Sequence, residues 1–212
     1  MSPRIGIVNY GMGNLRSVEK AIEHIGAVPE ISGDPGLLAG TDGLVLPGVG
    51  AFPRAMERIR ELGLDAMIAE RAEVGTPVLG VCLGMQLLFG SSTENGGAEG
   101  LGLLEGEVTA LEAPGLKLPH IGWAKLSIER DCELTRGIAD GSAFYFVHSF
   151  APQPTAEELI ATASYGPPFA AIVGRDRVFG AQFHPEKSSA AGLRMLANFS
   201  ALCAPVAEGA GA

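Results

Sequence analysis

The five residues Gly80-Val81-Cys82-Leu83-Gly84 constrain this chain more than any other stretch. They complete an apolar run, Pro77–Val81, that predicts a strand, and lead at once into Leu83–Phe89, which predicts a helix. A strand that becomes a helix within one residue leaves little room for a Cβ beside the turn, and glycine stands on both sides of it. The form is G-x-nucleophile-x-G, with cysteine where many hydrolases carry serine. Such a turn lifts the Cys82 side chain above the end of the strand and aims the Leu83 backbone N–H at the same spot. The helix start beneath it favours thiolate over thiol. The alternative is a structural cysteine in a glycine-rich strand–helix joint.

The flanking sequence repeats this alternation. Arg4–Tyr10, Val28–Ile31 and Gly43–Leu46 predict short strands, and Leu15–Ile25, Ala51–Arg60 and Leu64–Glu73 predict helices. The order implies an α/β fold: a mostly parallel central sheet with helices on both faces and ligands bound outside the carboxyl ends of the strands. The second half changes character. Gly106–Leu111, His120–Ile128, Ala143–Phe150, Leu159–Ser164, Ala170–Val173 and Val178–Phe183 read as strands separated by turns, an antiparallel extension on one side of the sheet. Ala190–Leu202 closes the chain as a helix. The 212 residues suit one domain, 1–203, with the small residues of 204–212 as a flexible tail.

Charge and cysteine usage exclude several classes of function. Fifteen basic residues against 24 acidic ones give a net charge of −9 without a basic cluster, which argues against a nucleic-acid partner. The longest apolar stretch, Val74–Phe89, is broken by Gly75, Pro77, Gly80, Gly84 and Gln86, so no membrane span is expected. Cys82, Cys132 and Cys203 are odd in number and widely spaced, which argues against a disulfide framework. With no signal-peptide pattern at the start, a reduced, cytoplasmic setting is expected. His120 and His148 are not at metal-ligand spacing, and no metal or cofactor is expected. Gly11-Met12-Gly13-Asn14-Leu15-Arg16 lacks the third glycine of a dinucleotide fingerprint.

A nucleophilic cysteine needs a base and an oxyanion site. Of His24, His120, His148 and His184, the last ends an apolar strand as His184-Pro185-Glu186. Pro185 biases His184 toward an extended backbone, where residues i and i+2 share a face, so Glu186 can orient the imidazole. The alternative is a loop histidine beside a surface carboxylate. Pro47-Gly48-Val49-Gly50, ending the third strand, can supply a second N–H to the oxyanion, or is an ordinary strand-ending turn. Gln86, one turn after Cys82, reads as structural from spacing alone.

In this order along the chain, the nucleophile turn, His-Pro-Glu and Pro-Gly-x-Gly resemble the class I, triad-type glutamine amidotransferases. Six segments are similar to one subfamily, the glutaminase subunits of imidazole glycerol phosphate synthase: Asn9–Leu15, Leu46–Phe52, Gly80–Phe89, Pro119–Trp123, Tyr145–Ser149 and Gln182–Ser188. The match runs from Ile5 to Phe199. It implies a catalytic triad of Cys82, His184 and Glu186 and oxyanion donors at Gly48, Val49 and Leu83. Gln86, Glu94, Ser149 and Phe150 match positions contacting glutamine. Two positions depart from the pattern: Ala124 where the family usually has asparagine, and Phe150 where it often has tyrosine.

The resemblance implies hydrolysis of L-glutamine to glutamate and ammonia. The ammonia would pass to a (β/α)8-barrel cyclase subunit in histidine biosynthesis, within a heterodimer. Asn14, Pro119, Trp123 and His148 are the expected interface; for Trp123 a core position is the alternative. Two other readings compete: the glutaminase of another class I amidotransferase, such as the pyridoxal phosphate synthase type, and a thiol hydrolase outside the amidotransferases on the same scaffold.

Overall fold

The computed structural model describes residues 2–204. Of the expected tail, only Ala204 is among them; 205–212 lie outside the described residues. The first half alternates strand and helix: β1 (Arg4–Val8), α1 (Leu15–His24), β2 (Val28–Ser32), α2 (Pro35–Ala39), β3 (Gly43–Gly48), α3 (Phe52–Glu61), α4 (Leu64–Glu73), β4 (Val78–Cys82) and α5 (Leu83–Leu87). The second half is mostly strand: β5 (Phe89–Ser92), β6 (Ala98–Glu99), β7 (Leu104–Ala110), β8 (His120–Lys125), β9 (Ser127–Ile128), β10 (Ala143–His148), β11 (Phe150–Gln153), β12 (Leu159–Ser164), β13 (Pro168–Arg175) and β14 (Val178–Ala181). Helix α6 (Ser189–Cys203) follows.

Eight strands form the central sheet in the order β2-β1-β3-β4-β14-β13-β12-β9. The pairs from β2 through β14 are parallel, and those from β14 outward to β9 are antiparallel. The antiparallel extension is only partly a continuation of the main sheet. The rest folds away as a ribbon, β10-β8, and a four-stranded sheet, β11-β7-β5-β6. The expected strand His120–Ile128 divides at Leu126 between ribbon and main sheet, and the expected strand Ala143–Phe150 divides at Ser149.

Period-2 alternation splits the core into two layers. Ile5, Ile7, Val45, Leu79 and Val81 point toward α1 and α6, where Ile22, Leu196 and Phe199 meet them. Val8, Leu44, Leu46 and Val78 point the other way, onto Phe52, Met56, Ile59 and Ile68 of α3 and α4. Helix α2 is capped by Asp34, whose Oδ1 accepts from Gly36 N at 2.8 Å, an interaction typically worth about 1 kcal/mol. This leaves the carboxyl ends of β3 and β4 side by side, with Gly48 paired to Cys82.

Candidate active site

Cys82 ends β4 with φ 55° and ψ −114°, a backbone that non-glycine residues adopt at a cost of about 1–3 kcal/mol. The neighbours enforce it. A Cβ on Gly84 would lie 1.7 Å from the Leu46 carbonyl oxygen, and one on Gly80 would lie 2.5 Å from the Gly84 oxygen. Gly180, in register with Gly80 on β14, would place a Cβ 2.5 Å from Met85 Cγ. The two glycines make a flat seat on which α5 lies against the sheet. That helix is shorter than the sequence suggests: it ends at Leu87, and Phe89 opens β5. A five-residue helix has little macrodipole, so its unpaired first-turn N–H groups, Leu83's among them, are what it offers an anion.

Cys82 is only 6% exposed and lies at the floor of a pocket of about 220 Å³. Its Sγ is 3.6 Å from the Val147 carbonyl oxygen. His184 reaches the pocket from beyond β14. Its backbone N–H donates to Tyr145 O at 2.9 Å, and its carbonyl accepts from Ser188 Oγ at 2.7 Å. Residues 185–187 form a 3-10 turn rather than the extended segment expected. The turn brings Glu186 back under the ring, and its Oε1 lies 2.9 Å from His184 Nδ1. Burial pulls the His184 imidazole down, but hydrogen bonds and charges from Cys82 and Glu186 outweigh it and raise it to about 9. With Nδ1 facing the carboxylate, the other ring nitrogen is the one that faces the sulfur.

The same pocket gathers Val49, Leu83, Gln86, Glu94, Ser149 and Phe150. Gln86 Nε2 donates to Phe150 O and to Gln182 Oε1, both at 3.0 Å, which leaves its own oxygen available as an acceptor. Glu94 Oε2 accepts from Phe52 N at 2.8 Å, tying the pocket rim to the start of α3 and leaving the other carboxylate oxygen free. Gly48 lies below the pocket, under Leu83.

The four residues expected at an interface separate. Pro119 and Asn14 are exposed, Pro119 at the pocket mouth and Asn14 beside a small hollow against Gly48 and Glu186. Trp123 is 53% exposed, on the same outward face of β8 as Ile121. His148 is not on the outer surface. It is 5% exposed, with Nδ1 2.9 Å from Phe150 O and Nε2 3.2 Å from His120 Nδ1. Burial disfavours a charge on either ring, and a neutral His148 that donates through Nδ1 to the Phe150 carbonyl accepts through Nε2. Among the described residues no group of three His, Cys, Asp or Glu could hold a metal ion, and no helix is long and apolar enough to cross a membrane.

Sequence reasoning missed Tyr10, Gln182 and Ser188. Tyr10 is 1% exposed and donates to Pro47 O at 2.9 Å. Its signal was an aromatic residue between a strand and a glycine turn. Ser188 lies in the resembling segment but its role carried no signal of its own, since it depends on the Tyr145 amide and the His184 carbonyl being brought to one hydroxyl by folding.

The family model described as Glutamine amidotransferase class-I matches residues 7–202. The chain is 50% identical over 199 residues to imidazole glycerol phosphate synthase subunit HisH of Moorella thermoacetica, covering 93% of this chain and 94% of that one. It is 48% identical over 202 residues to the protein of the same name from Methanosarcina acetivorans, covering 94% and 99%. A crystal structure of a glutamine amidotransferase superposes with a TM-score of 0.75 at 20% identity, over 94% of this chain and 98% of that one.

Proposed function

This chain belongs to the class I glutamine amidotransferase family, and from that premise we propose that it works as the glutaminase subunit of imidazole glycerol phosphate synthase. It hydrolyses L-glutamine to glutamate and ammonia, with Cys82 as nucleophile, His184 as acid and base, and Glu186 as the group that orients His184. The observation that carries this reading is the Glu186–His184 contact at 2.9 Å behind a cysteine held at φ 55°.

The chemistry follows from the placement. His184, raised to about 9, is imidazolium at neutral pH and places its positive charge and its proton beside the Cys82 sulfur. The sulfur attacks the side-chain amide carbon of glutamine. The developing oxyanion takes hydrogen bonds from the Leu83 N–H and from the Gly48–Val49 segment. His184 gives its proton to the departing nitrogen, and ammonia leaves. The neutral ring then takes a proton from water, which attacks the thioester and frees glutamate. Glu94 and the free oxygen of Gln86 suit the substrate α-ammonium, and the Ser149–Phe150 backbone lies opposite.

Ammonia is protonated in neutral water and then lacks nucleophilicity, so delivery to a docked cyclase is the expected use. We assign that partner, a (β/α)8 barrel in a heterodimer, to the face around the pocket mouth. Val49 and Pro119 line the pocket, and Ile121 and Trp123 stand exposed on one face of β8, the strand that follows Pro119. The single domain, 1–203, and a cytoplasmic setting belong to the same reading; the three cysteines are free. Glutamine turnover by the chain, with and without the cyclase, compared between wild type and Cys82→Ala, tests it. The variant is expected to lose at least about 10³-fold in kcat. Equal turnover in the two proteins would overturn it.

A further inference from the structure

The oxyanion strand has an anchor outside the triad. Strand β3 pairs with β1 only as far as Val45, where it faces Ile7. Strand β1 ends one residue later, at Val8, and no residue of β1 is in register with Pro47. Tyr10 takes the place of one: its hydroxyl donates to Pro47 O at 2.9 Å, 37 residues away in sequence, in a fully buried setting. The same hydroxyl occupies the space where a side chain on Gly48 would stand, 2.3 Å from an ideal Cβ.

We propose that Tyr10 is a positioning residue for amide hydrolysis, its hydroxyl fixing the Pro47–Gly48 peptide plane and thereby the direction of the oxyanion donors that follow. A peptide is planar, and in the trans form its N–H points opposite to its C=O. Holding Pro47 O toward Tyr10 therefore turns the Gly48 N–H the other way and sets where the Gly48–Val49 peptide begins. Only the far end of the segment keeps freedom. Val49 is 44% exposed, and Gly50 has φ 102° with nothing but the Met12 methyl within 4 Å of where its Cβ would be. Tyr10 is not itself the oxyanion donor, because its one hydrogen points at Pro47. It also stays protonated: burial, with the Cys82 charge added, pushes the phenol far above its ordinary value. The donor is thus constant across any working pH.

The inference rests on the amidase reading of Cys82, and the test separates the two. Tyr10→Phe keeps the ring and removes the hydroxyl; Tyr10→Met is a second variant without it. Each is assayed as the full chain with the cyclase for glutamine kcat and KM, and for alkylation of Cys82 by iodoacetamide. Alkylation is a displacement at carbon that needs the thiolate but no oxyanion site. The expected result is a fall in kcat of about 10-fold or more, with KM and the alkylation rate within about twofold of wild type. Unchanged kcat would overturn the proposal. So would parallel losses of turnover and alkylation, which would mean that Tyr10 supports the nucleophile or the fold at large. A wild type that alkylates but never hydrolyses glutamine would overturn the amidase reading and this inference with it.

Discussion

The two sides of the pocket are held in place by different means. The nucleophile turn is locked by shape: Gly80, Gly84 and Gly180 press backbone and helix together with no space for a methyl group. The facing side hangs on single polar contacts. Tyr10 holds Pro47, Gln86 and His148 both hold the Phe150 carbonyl, and Glu186 holds His184. Steric locking leaves Cys82 one conformation. Polar contacts leave the far end of the oxyanion strand, Val49 and Gly50, and the 147–150 wall able to adjust when substrate or partner arrives. The nucleophile is a fixed point, and what assembles around it is adjustable.

Alanine at Gly84 breaks the locked side, and it is the largest effect expected. The Leu46 carbonyl oxygen is backbone and cannot step aside from a Cβ at 1.7 Å. Gly84→Ala should yield little folded protein, read as loss of the cooperative unfolding transition. Gly50→Ala, on the adjustable side, meets only the flexible Met12 methyl and carries the strain of a positive φ, about 1–2 kcal/mol. It should fold. Equal tolerance of the two substitutions would erase the contrast.

Next in size is Glu186→Gln, which keeps the shape of the polar contact and removes its charge. His184 should then titrate lower, since one of the groups raising it is gone. We expect kcat to fall about 10²-fold, with the imidazole titration, followed by NMR, moving down from about 9. An unmoved titration would show that Cys82 alone holds the proton on His184.

The locked side was legible in the sequence and the adjustable side much less so. Where backbone must touch backbone, only glycine fits, and glycine is written plainly at positions 80 and 84. Cys82 and the His184–Glu186 pair were legible for a similar reason, although the pair meets through a 3-10 turn and not along a strand. The end of α5 was not: Leu88 and Phe89 prolong the apolar run, and only the pairing of Phe89 with Leu104 shows that a strand has begun. Helix α2 escaped notice despite its Asp34-Pro35 start, because five residues carry no periodicity. Of the small sheet, β7 was legible as Gly106–Leu111, but β5 lay inside the apolar run and the two-residue β6 carried no pattern. Tyr10 and His148 illustrate the limit. Each acts through a carbonyl oxygen, and a carbonyl is the same at every position in a sequence. His148 looked like a surface residue because its segment resembles an interface; its bonds to Phe150 and His120 turn it inward.

The smallest effect expected concerns that inward histidine, and it probes the adjustable wall without touching Cys82. Burial is the main cause that lowers His148 from 6.5 to about 4; the charges of His120 and His184 add to it, and the Phe150 carbonyl opposes it. In the unfolded chain the ring titrates near its ordinary value, so the unfolded state binds a proton first as pH falls. The stabilisation from a neutral His148 is therefore complete above about 6.5 and is lost progressively as pH drops through about 4. His148→Asn keeps a donor for Phe150 O and removes the titration. Below pH 6.5 the unfolding midpoint of wild type should fall more steeply than that of the variant, by a few degrees at about 2–4 °C per kcal/mol for a chain of this size. Some slope should remain in the variant, because burial lowers His120 as well. Parallel curves from pH 7 to pH 4 would mean that the charged ring is accommodated, and that the wall opposite the nucleophile is held by its backbone after all.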